Sequence, residues 1–311
     1  MNRACVCFAT DLGYMFPSLL AAIQARQFLD AEIADVVIIL FTEDDPELFR
    51  EICGQKGIIL ITANPKTLQS HTAMYARLFL DSLLPAQYSR ILYIDGDVQI
   101  TASLNALIQT ELPADAFCAV ADPMCVSADR ADENACEIQA YFASLGVRNS
   151  ADKPYFNSGV LLVNRESWAE ISRDALKFLT EKPELCRFQD QSALNFAGHA
   201  RMQPMSMRWN FPIFLRNCGV EADIQPAIYH FMSKPKPWQG AFPPWNASFY
   251  LPYVGLLSEY PGLGAYAPPM PARLRAKYFL QQRVKWLQET VAWRFSGRRM
   301  GVLKYDKAAR I

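Results

Sequence analysis

The sequence predicts an α/β fold: a mostly parallel central sheet flanked by helices, followed by a basic amphipathic helical tail. Three observations carry this. Short runs of branched apolar residues alternate with amphipathic segments from Ala4 to Val163, the pattern of a parallel sheet covered on both faces. Hydrophobic residues make up 51% of the 311 and charged residues 20%, with no uninterrupted apolar run long enough to span a bilayer, which excludes a disordered chain and a membrane-embedded one. Positive charge gathers at one end: from Ala272 to Ile311, eleven Lys or Arg stand against Glu289 and Asp306, so the tail carries nine positive charges and the rest of this formally neutral chain nine negative. Such asymmetry points to a charged partner.

Ala4–Ala9 reads as a strand that meets Thr10-Asp11, and Leu19, Leu20, Ile23 and Phe28 follow at helical spacing. Val36–Phe41 reads as a buried strand, Pro46–Gln55 as a helix and Ile58–Ile61 as a third strand. Ala73–Leu84 is helix-like, with Arg77 and Asp81 one turn apart and spaced to pair. Arg90–Ile94 is a strand that stops at Asp95, and Phe117–Ala121 and Gly159–Val163 are two more, the last after a loop Tyr155–Ser158. From Pro204 the texture turns to loops rich in Pro, Trp and Phe, where little regular structure is expected. After Pro271, Leu274, Tyr278, Leu280, Val284, Leu287, Val291 and Phe295 recur at helical intervals among Arg and Lys, predicting one or two basic amphipathic helices.

The run Ala4–Ala9 is too short for the core of a secretory signal, so a cytoplasmic location is expected. Eight cysteines without CxxC spacing, mostly in apolar surroundings, read as reduced, buried thiols with no catalytic part.

Tyr93-Ile94-Asp95-Gly96-Asp97 sets two carboxylates two residues apart at a strand end, where ligands of open α/β sheets bind. Mg²⁺ or Mn²⁺ is typically held by one or two carboxylates while substrate phosphates complete the shell. Asp-x-Asp by itself is equally the composition of a solvated turn. His230, one of three histidines, offers a third ligand, and Lys236 a charge to neutralise a departing diphosphate.

Asp95-Gly96-Asp97, Asn157-Ser158-Gly159-Val160, Asp190-Gln191 and His230 with Lys236-Pro237-Trp238 occur in one order. That set resembles glycosyltransferase family 8, whose members include bacterial lipopolysaccharide galactosyl- and glucosyltransferases and glycogenin. The resemblance runs from about Val6 to Trp238, and the His-to-Lys-Pro-Trp element is its most specific part. It implies a retaining hexosyltransferase of GT-A fold that moves galactose or glucose from a UDP-sugar to a saccharide or glycolipid acceptor, with lipopolysaccharide or another surface glycan expected, and with Mn²⁺ or Mg²⁺ on Asp95, Asp97 and His230. It divides the chain into a catalytic domain, 1–245, and a C-terminal loop and basic tail, 246–311.

By position, Ala9, Thr10, Asp11 and Tyr14 match the family's first loop, where an acid and an aromatic ring hold uracil. Gly13 stands where the family often has Asn, and Asp11 also suits a helix N-cap. Arg77 matches an arginine that contacts donor phosphate or sugar. Asp122, Asn157 and Ser158 match residues near the transferring sugar, with Gly96 and Lys236 completing the donor set. Asp190 and Gln191 match a pair near the anomeric carbon and, with Lys236, are the catalytic candidates. Residue identity leaves open a covalent glycosyl intermediate and front-face attack assisted by the leaving phosphate. Two other functions fit Asp-x-Asp: an aspartate-nucleophile phosphohydrolase, which normally opens its domain with that motif whereas three strands precede it here, and an inactive sugar-nucleotide binding protein, from which the metal ligands would be missing. The tail, with Trp286, Trp293 and Phe295 beside Arg283, Lys285, Arg294, Arg298 and Arg299, has the composition of a helix lying on an anionic membrane surface. Peripheral attachment to the cytoplasmic face of the inner membrane is therefore expected. No nucleic-acid motif accompanies it, and no nucleic acid is expected as a partner.

Overall fold

The structure, a computed structural model, describes residues 3–311. Among the described residues ten strands form in chain order: β1 Arg3–Asp11, β2 Ala34–Phe41, β3 Ile59–Ala63, β4 Tyr88–Ile94, β5 Val98–Ile100, β6 Phe117–Ala121, β7 Phe156–Asn164, β8 Met202–Met205, β9 Phe211–Pro212 and β10 Ile228–His230. Seven of them make one sheet in the order β3-β2-β1-β4-β7-β6-β8. Every pairing in it is parallel except those of β7, which runs antiparallel to both β4 and β6. The inner strands are buried on both faces, which is why β2 and β7 read as continuous apolar runs. Helix Met15–Gln27 packs on β1 and β2, and helix Arg165–Glu181 on β4 and β7.

The chain steps outward from β1 to β3 and returns to lay β4 on the other side of β1. This reversal opens a crevice beyond the carboxyl ends of β1 and β4. Because β7 is antiparallel, its first residues lie beside the end of β4: Ile94 pairs with Val160, and the Asp95 N–H donates to the Gly159 carbonyl at 2.8 Å. A small sheet, β5-β10-β9, stands next to this crevice. Its antiparallel register sets His230 opposite Val98, one residue past Asp97.

Four sequence expectations are corrected. Ala73–Leu84 is a 3₁₀ segment, Ala73–Phe79, followed by a single α turn, Leu80–Leu83. Asn157 and Ser158 lie inside β7 and not in a loop before it. The stretch after Pro204 contains a helix, Asn246–Glu259, despite Pro252 within it. Cys136 is exposed and Cys186 half-buried, while the other six cysteines are buried and all eight are free.

The segment 246–311 shares its core with the residues before it. Phe249, Tyr253, Leu256, Leu263, Val302, Leu303 and Tyr305 are all buried in the main cluster. The tail forms two helices, Ala272–Phe295 and Arg298–Ala308, joined at Gly297, whose φ of 67° is a conformation glycine adopts without strain. Asp306 accepts from the Ser206 hydroxyl and the Met207 N–H, and the Tyr305 hydroxyl takes a hydrogen bond from Asn149 at 2.8 Å.

Candidate active site

The turn joining β4 to β5 carries Asp95 and Asp97. Gly96 between them is required by packing: a Cβ there would stand 2.0 Å from the Ser18 hydroxyl of the first helix. His230, at the end of β10, brings Nε2 to 3.2 Å from Asp97 Oδ1 and 4.0 Å from Asp95 Oδ2. One ligand atom from each of the three lies within 4.8 Å of the others, the one such group found among the described residues. Two carboxylates and an imidazole suit Mn²⁺ or Mg²⁺, and Nε2 faces the carboxylates while Nδ1 is engaged by Asn210 Oδ1 at 2.8 Å. Gly159 has a reason here too, since a Cβ would stand 2.4 Å from His230 Cε1.

Lys236 donates to Asp97 Oδ2 and to the Phe231 carbonyl, both at 2.6 Å. Burial opposes the charge on Asp97, but the neighbouring His230 and Lys236 outweigh it and hold its carboxyl well below the usual range. For Asp95 burial prevails over Arg77 and, with the charge of Asp97, moves its carboxyl up.

Arg77 is buried and lies between two acids. It donates to Asp95 Oδ1 at 2.8 Å, and its Nε lies 3.0 Å from Asp190 Oδ2, an ion pair bent away from hydrogen-bond geometry. Its other nitrogen donates to the Ser158 carbonyl at 2.5 Å and hydroxyl at 2.8 Å. The expected Arg77–Asp81 pair is not formed, because a 3₁₀ segment does not stack residues four apart as an α-helix does. Burial and the Asp95 charge push the Asp190 carboxyl up to about 6, against the pull of Arg77.

Asp122, Asn157 and Gln191 form a hydrogen-bonded network of their own. Asn157 Nδ2 donates to Asp122 Oδ2 at 3.1 Å and Gln191 Oε1 at 3.0 Å, and Gln191 Nε2 donates to Asp122 Oδ2 at 3.1 Å. Asp122 also accepts from the Met124 N–H. Burial raises its carboxyl, with these hydrogen bonds opposing.

Ala9, Thr10, Asp11, Tyr14, Arg77, Asp95, Gly96 and Asp97 line one cavity of about 400 Å³, so the first loop and the carboxylate turn face the same space. Asp11 Oδ1 accepts from the Tyr14 N–H, bracing the turn into the first helix. Trp238 packs edge-on against Tyr14 at 5.4 Å, tying the Lys-Pro-Trp segment to that loop. Asp122, Asn157, Ser158, Asp190, Gln191, His230 and Lys236 stand outside this cavity's lining and connect to it through Arg77, Asp95 and Asp97. Sequence reasoning missed Tyr93, whose hydroxyl donates to Asp95 Oδ1 at 3.0 Å under the Arg77 guanidinium, and Asn210. Tyr93 could be found from its place two residues before Asp95 on the same strand face. Asn210, in a stretch without periodicity, gives no such signal.

The profile of glycosyl transferase family 8 matches residues 27–241. Lipopolysaccharide glucosyltransferase WaaO of Escherichia coli K12 is 29% identical over 217 residues, 64% of this chain and 61% of its own length. The lipopolysaccharide 1,2-glucosyltransferase of the same strain is 31% identical over 127 residues, 40% of this chain and 33% of its own. The chain therefore spans less than two thirds of the length of these relatives. Among solved structures, galactosyltransferase LgtC in complex with donor and acceptor sugar analogues aligns over 88% of this chain and 99% of its own, with a TM-score of 0.63 at 21% identity. GlyE of Streptococcus pneumoniae TIGR4 aligns over 87% and 66%, with a TM-score of 0.58 at 20% identity. These two likenesses establish the fold, the GT-A arrangement, and no more. The profile match covers more than half of the residues, and on that ground the chain belongs to glycosyl transferase family 8.

Proposed function

We propose that the protein is a metal-dependent retaining glycosyltransferase that moves a hexose, galactose or glucose, from a UDP-sugar to a saccharide acceptor such as lipopolysaccharide or another surface glycan. The observation that carries this reading is the Asp95–Asp97–His230 group standing at the edge of a cavity that also meets the first loop. A divalent ion held by these three would supply positive charge to the departing diphosphate. Asp11 and Tyr14 face the cavity where a uracil ring would lie. Lys236 has three N–H donors and spends two on Asp97 and Phe231, which leaves one for a phosphate oxygen. Arg77 spends its two terminal nitrogens on protein acceptors and pairs its charge with Asp190, so its part is to hold Asp95, Ser158 and Asp190 in place.

The two carboxylates nearest the sugar-side network are engaged, Asp190 by Arg77 and Asp122 by two amides. That supports front-face displacement over a covalent glycosyl-enzyme. The acceptor hydroxyl oxygen bonds to the anomeric carbon, the bond from that carbon to the phosphate oxygen breaks, and the hydroxyl proton passes to the departing diphosphate. A phosphohydrolase using Asp95 as nucleophile is disfavoured, since its Oδ1 is held by Arg77 and Tyr93. Incubation with a panel of UDP-sugars and Mn²⁺ should release UDP from UDP-galactose or UDP-glucose and stop on chelation. Release that is unaffected by chelator, or confined to other nucleotides, would overturn the proposal.

We further propose that helix Ala272–Phe295 lies on an anionic lipid surface at the cytoplasmic face of the membrane. Tyr278, Gln282, Glu289 and Trp293 turn towards the protein, with Asn217 donating to Glu289 at 2.7 Å. Leu280, Val284, Leu287, Val291 and Phe295, spaced at four, three, four and four residues, form the opposite stripe and are 44 to 83% exposed. Arg273, Arg275, Lys277 and Arg283 are exposed along the same helix. Among the described residues no helix is long and apolar enough to cross a membrane. Removing the whole tail would also strip Val302, Leu303 and Tyr305 from the core, so substitution is the cleaner test. Leu287→Glu with Val291→Glu should reduce binding to vesicles containing phosphatidylserine on the order of tenfold or more, with donor hydrolysis in solution unchanged. Equal vesicle binding would contradict the proposal.

A further inference from the structure

We propose that Asn210 is a positioning residue that fixes the ring of His230, with Nδ1–H on the Asn210 oxygen and Nε2 turned to Asp95 and Asp97. The proposal rests on the reading of those three residues as holders of a divalent cation. It follows from two backbone donors. The Gly159 N–H points at Asn157 at 2.9 Å, so the atom it meets is the side-chain oxygen Oδ1. The Ser158 N–H likewise identifies the Gln191 atom it meets, at 3.2 Å, as Oε1. Asn157 then has its NH₂ on the Asp122 carboxylate and on Gln191 Oε1, both acceptors, and the two assignments agree.

The next link is forced. Asn210 approaches Asn157 Oδ1 at 2.8 Å and must present its NH₂ there. Its own Oδ1 therefore faces His230 Nδ1, also at 2.8 Å, and can only accept, so that nitrogen carries the hydrogen. With Nδ1 held by Asn210, Nε2, 3.2 Å from Asp97, is the ring atom left to meet a cation. Asn210, Asn157 and His230 are 2, 5 and 4% exposed, so water offers little alternative partner for any link. The same chain, Asp122 to Asn157 to Asn210 to His230, connects the sugar-side wall to the cation group without passing through substrate. Outer partners of a ligating histidine set its tautomer and ring orientation in this way.

Titration of the full chain with Mn²⁺, followed by electron paramagnetic resonance, tests the proposal. Asn210→Ala removes the acceptor and should weaken Mn²⁺ binding by about 10- to 100-fold. Asn210→Asp keeps an acceptor for the Nδ1 hydrogen but gives up the NH₂ that Asn157 Oδ1 accepts, so it should recover at least part of the Mn²⁺ affinity lost in Asn210→Ala, which a merely structural role for the amide would not predict. Nitrogen-15 spectra of histidine-labelled, metal-free protein provide a reading that needs neither variant nor metal, and with three histidines the signals are assignable. The expected spectrum has His230 protonated at Nδ1. An Nδ1 without its hydrogen, or unchanged Mn²⁺ affinity in a folded Asn210→Ala protein, would overturn the proposal. Failure of the unaltered protein to bind Mn²⁺ would defeat the cation reading instead, and the nitrogen-15 signal alone would then decide the role of Asn210.

Discussion

Asp97→Asn is expected to lower kcat/KM for transfer from a UDP-sugar by on the order of 10²-fold or more. The substitution keeps the shape of the side chain and an oxygen to accept from Lys236, but it removes the one carboxylate that touches both His230 and Lys236. Asp97 is also the acid whose surroundings hold it most firmly in the charged form, so its charge is what the site is arranged around. Steady-state kinetics with a Mn²⁺ titration checks the result. A thermal melt separates it from unfolding, since Lys236 retains the Phe231 carbonyl and the asparagine oxygen as acceptors. Turnover within a few fold of the unaltered protein would show that the carboxylate pair holds no reacting ion.

Arg77→Leu is expected to cost about 3 to 5 kcal/mol of stability, because it leaves two acids in a buried site without their shared cation. Asp190 has no other charged partner within salt-bridge distance among the described residues. Its folded-state value, about 6, is above the usual carboxylate value. The folded chain thus binds more protons than the unfolded one over that interval, and the contribution of Asp190 to stability falls as pH rises through it. Without Arg77 the carboxyl moves higher still, so the deficit of the variant grows with pH and is smaller at about pH 5 than at about pH 8. Urea denaturation at both pH values measures it. Arg77→Lys should recover part of the loss, since one ammonium cannot span Asp95 and Asp190 as the guanidinium does. A deficit below about 1 kcal/mol at both values would mean that the acids find other compensation.

What the sequence makes legible follows from the physics of each element. β1, β2, β4, β6 and β7 announce themselves because strands buried on both faces must be continuously apolar. Asp95 is visible for the same reason, as the first charge after such a run. Helix Asn246–Glu259 is hidden by Pro252 and by apolar residues on several faces, which blur the helical period. Ala73–Phe79 shows apolar and basic residues at helix-like spacing, yet adopts the tighter 3₁₀ winding that delivers Arg77 to Asp95 and Asp190. Local spacing therefore suggests Asp81 as the partner of Arg77, while the structure supplies two acids distant in sequence. In the tail the same apolar residues that predict an amphipathic helix divide, with Tyr278 turning inward and Leu280, Leu287 and Val291 outward. Only three-dimensional packing separates those faces. Asn210 is the extreme case, since its contacts with His230 and Asn157 depend on strand pairings between distant segments.

If Asp95, Asp97 and His230 hold a divalent ion against a nucleoside diphosphate, ion and nucleotide bind as one unit. Isothermal titration of the protein with UDP, once with Mn²⁺ present and once with chelator, tests it most directly, because two ligands that share a site must each tighten the other. UDP should bind at least about tenfold tighter with Mn²⁺, and Mn²⁺ should gain the same factor when UDP is present. Equal UDP affinity in the two titrations would contradict it.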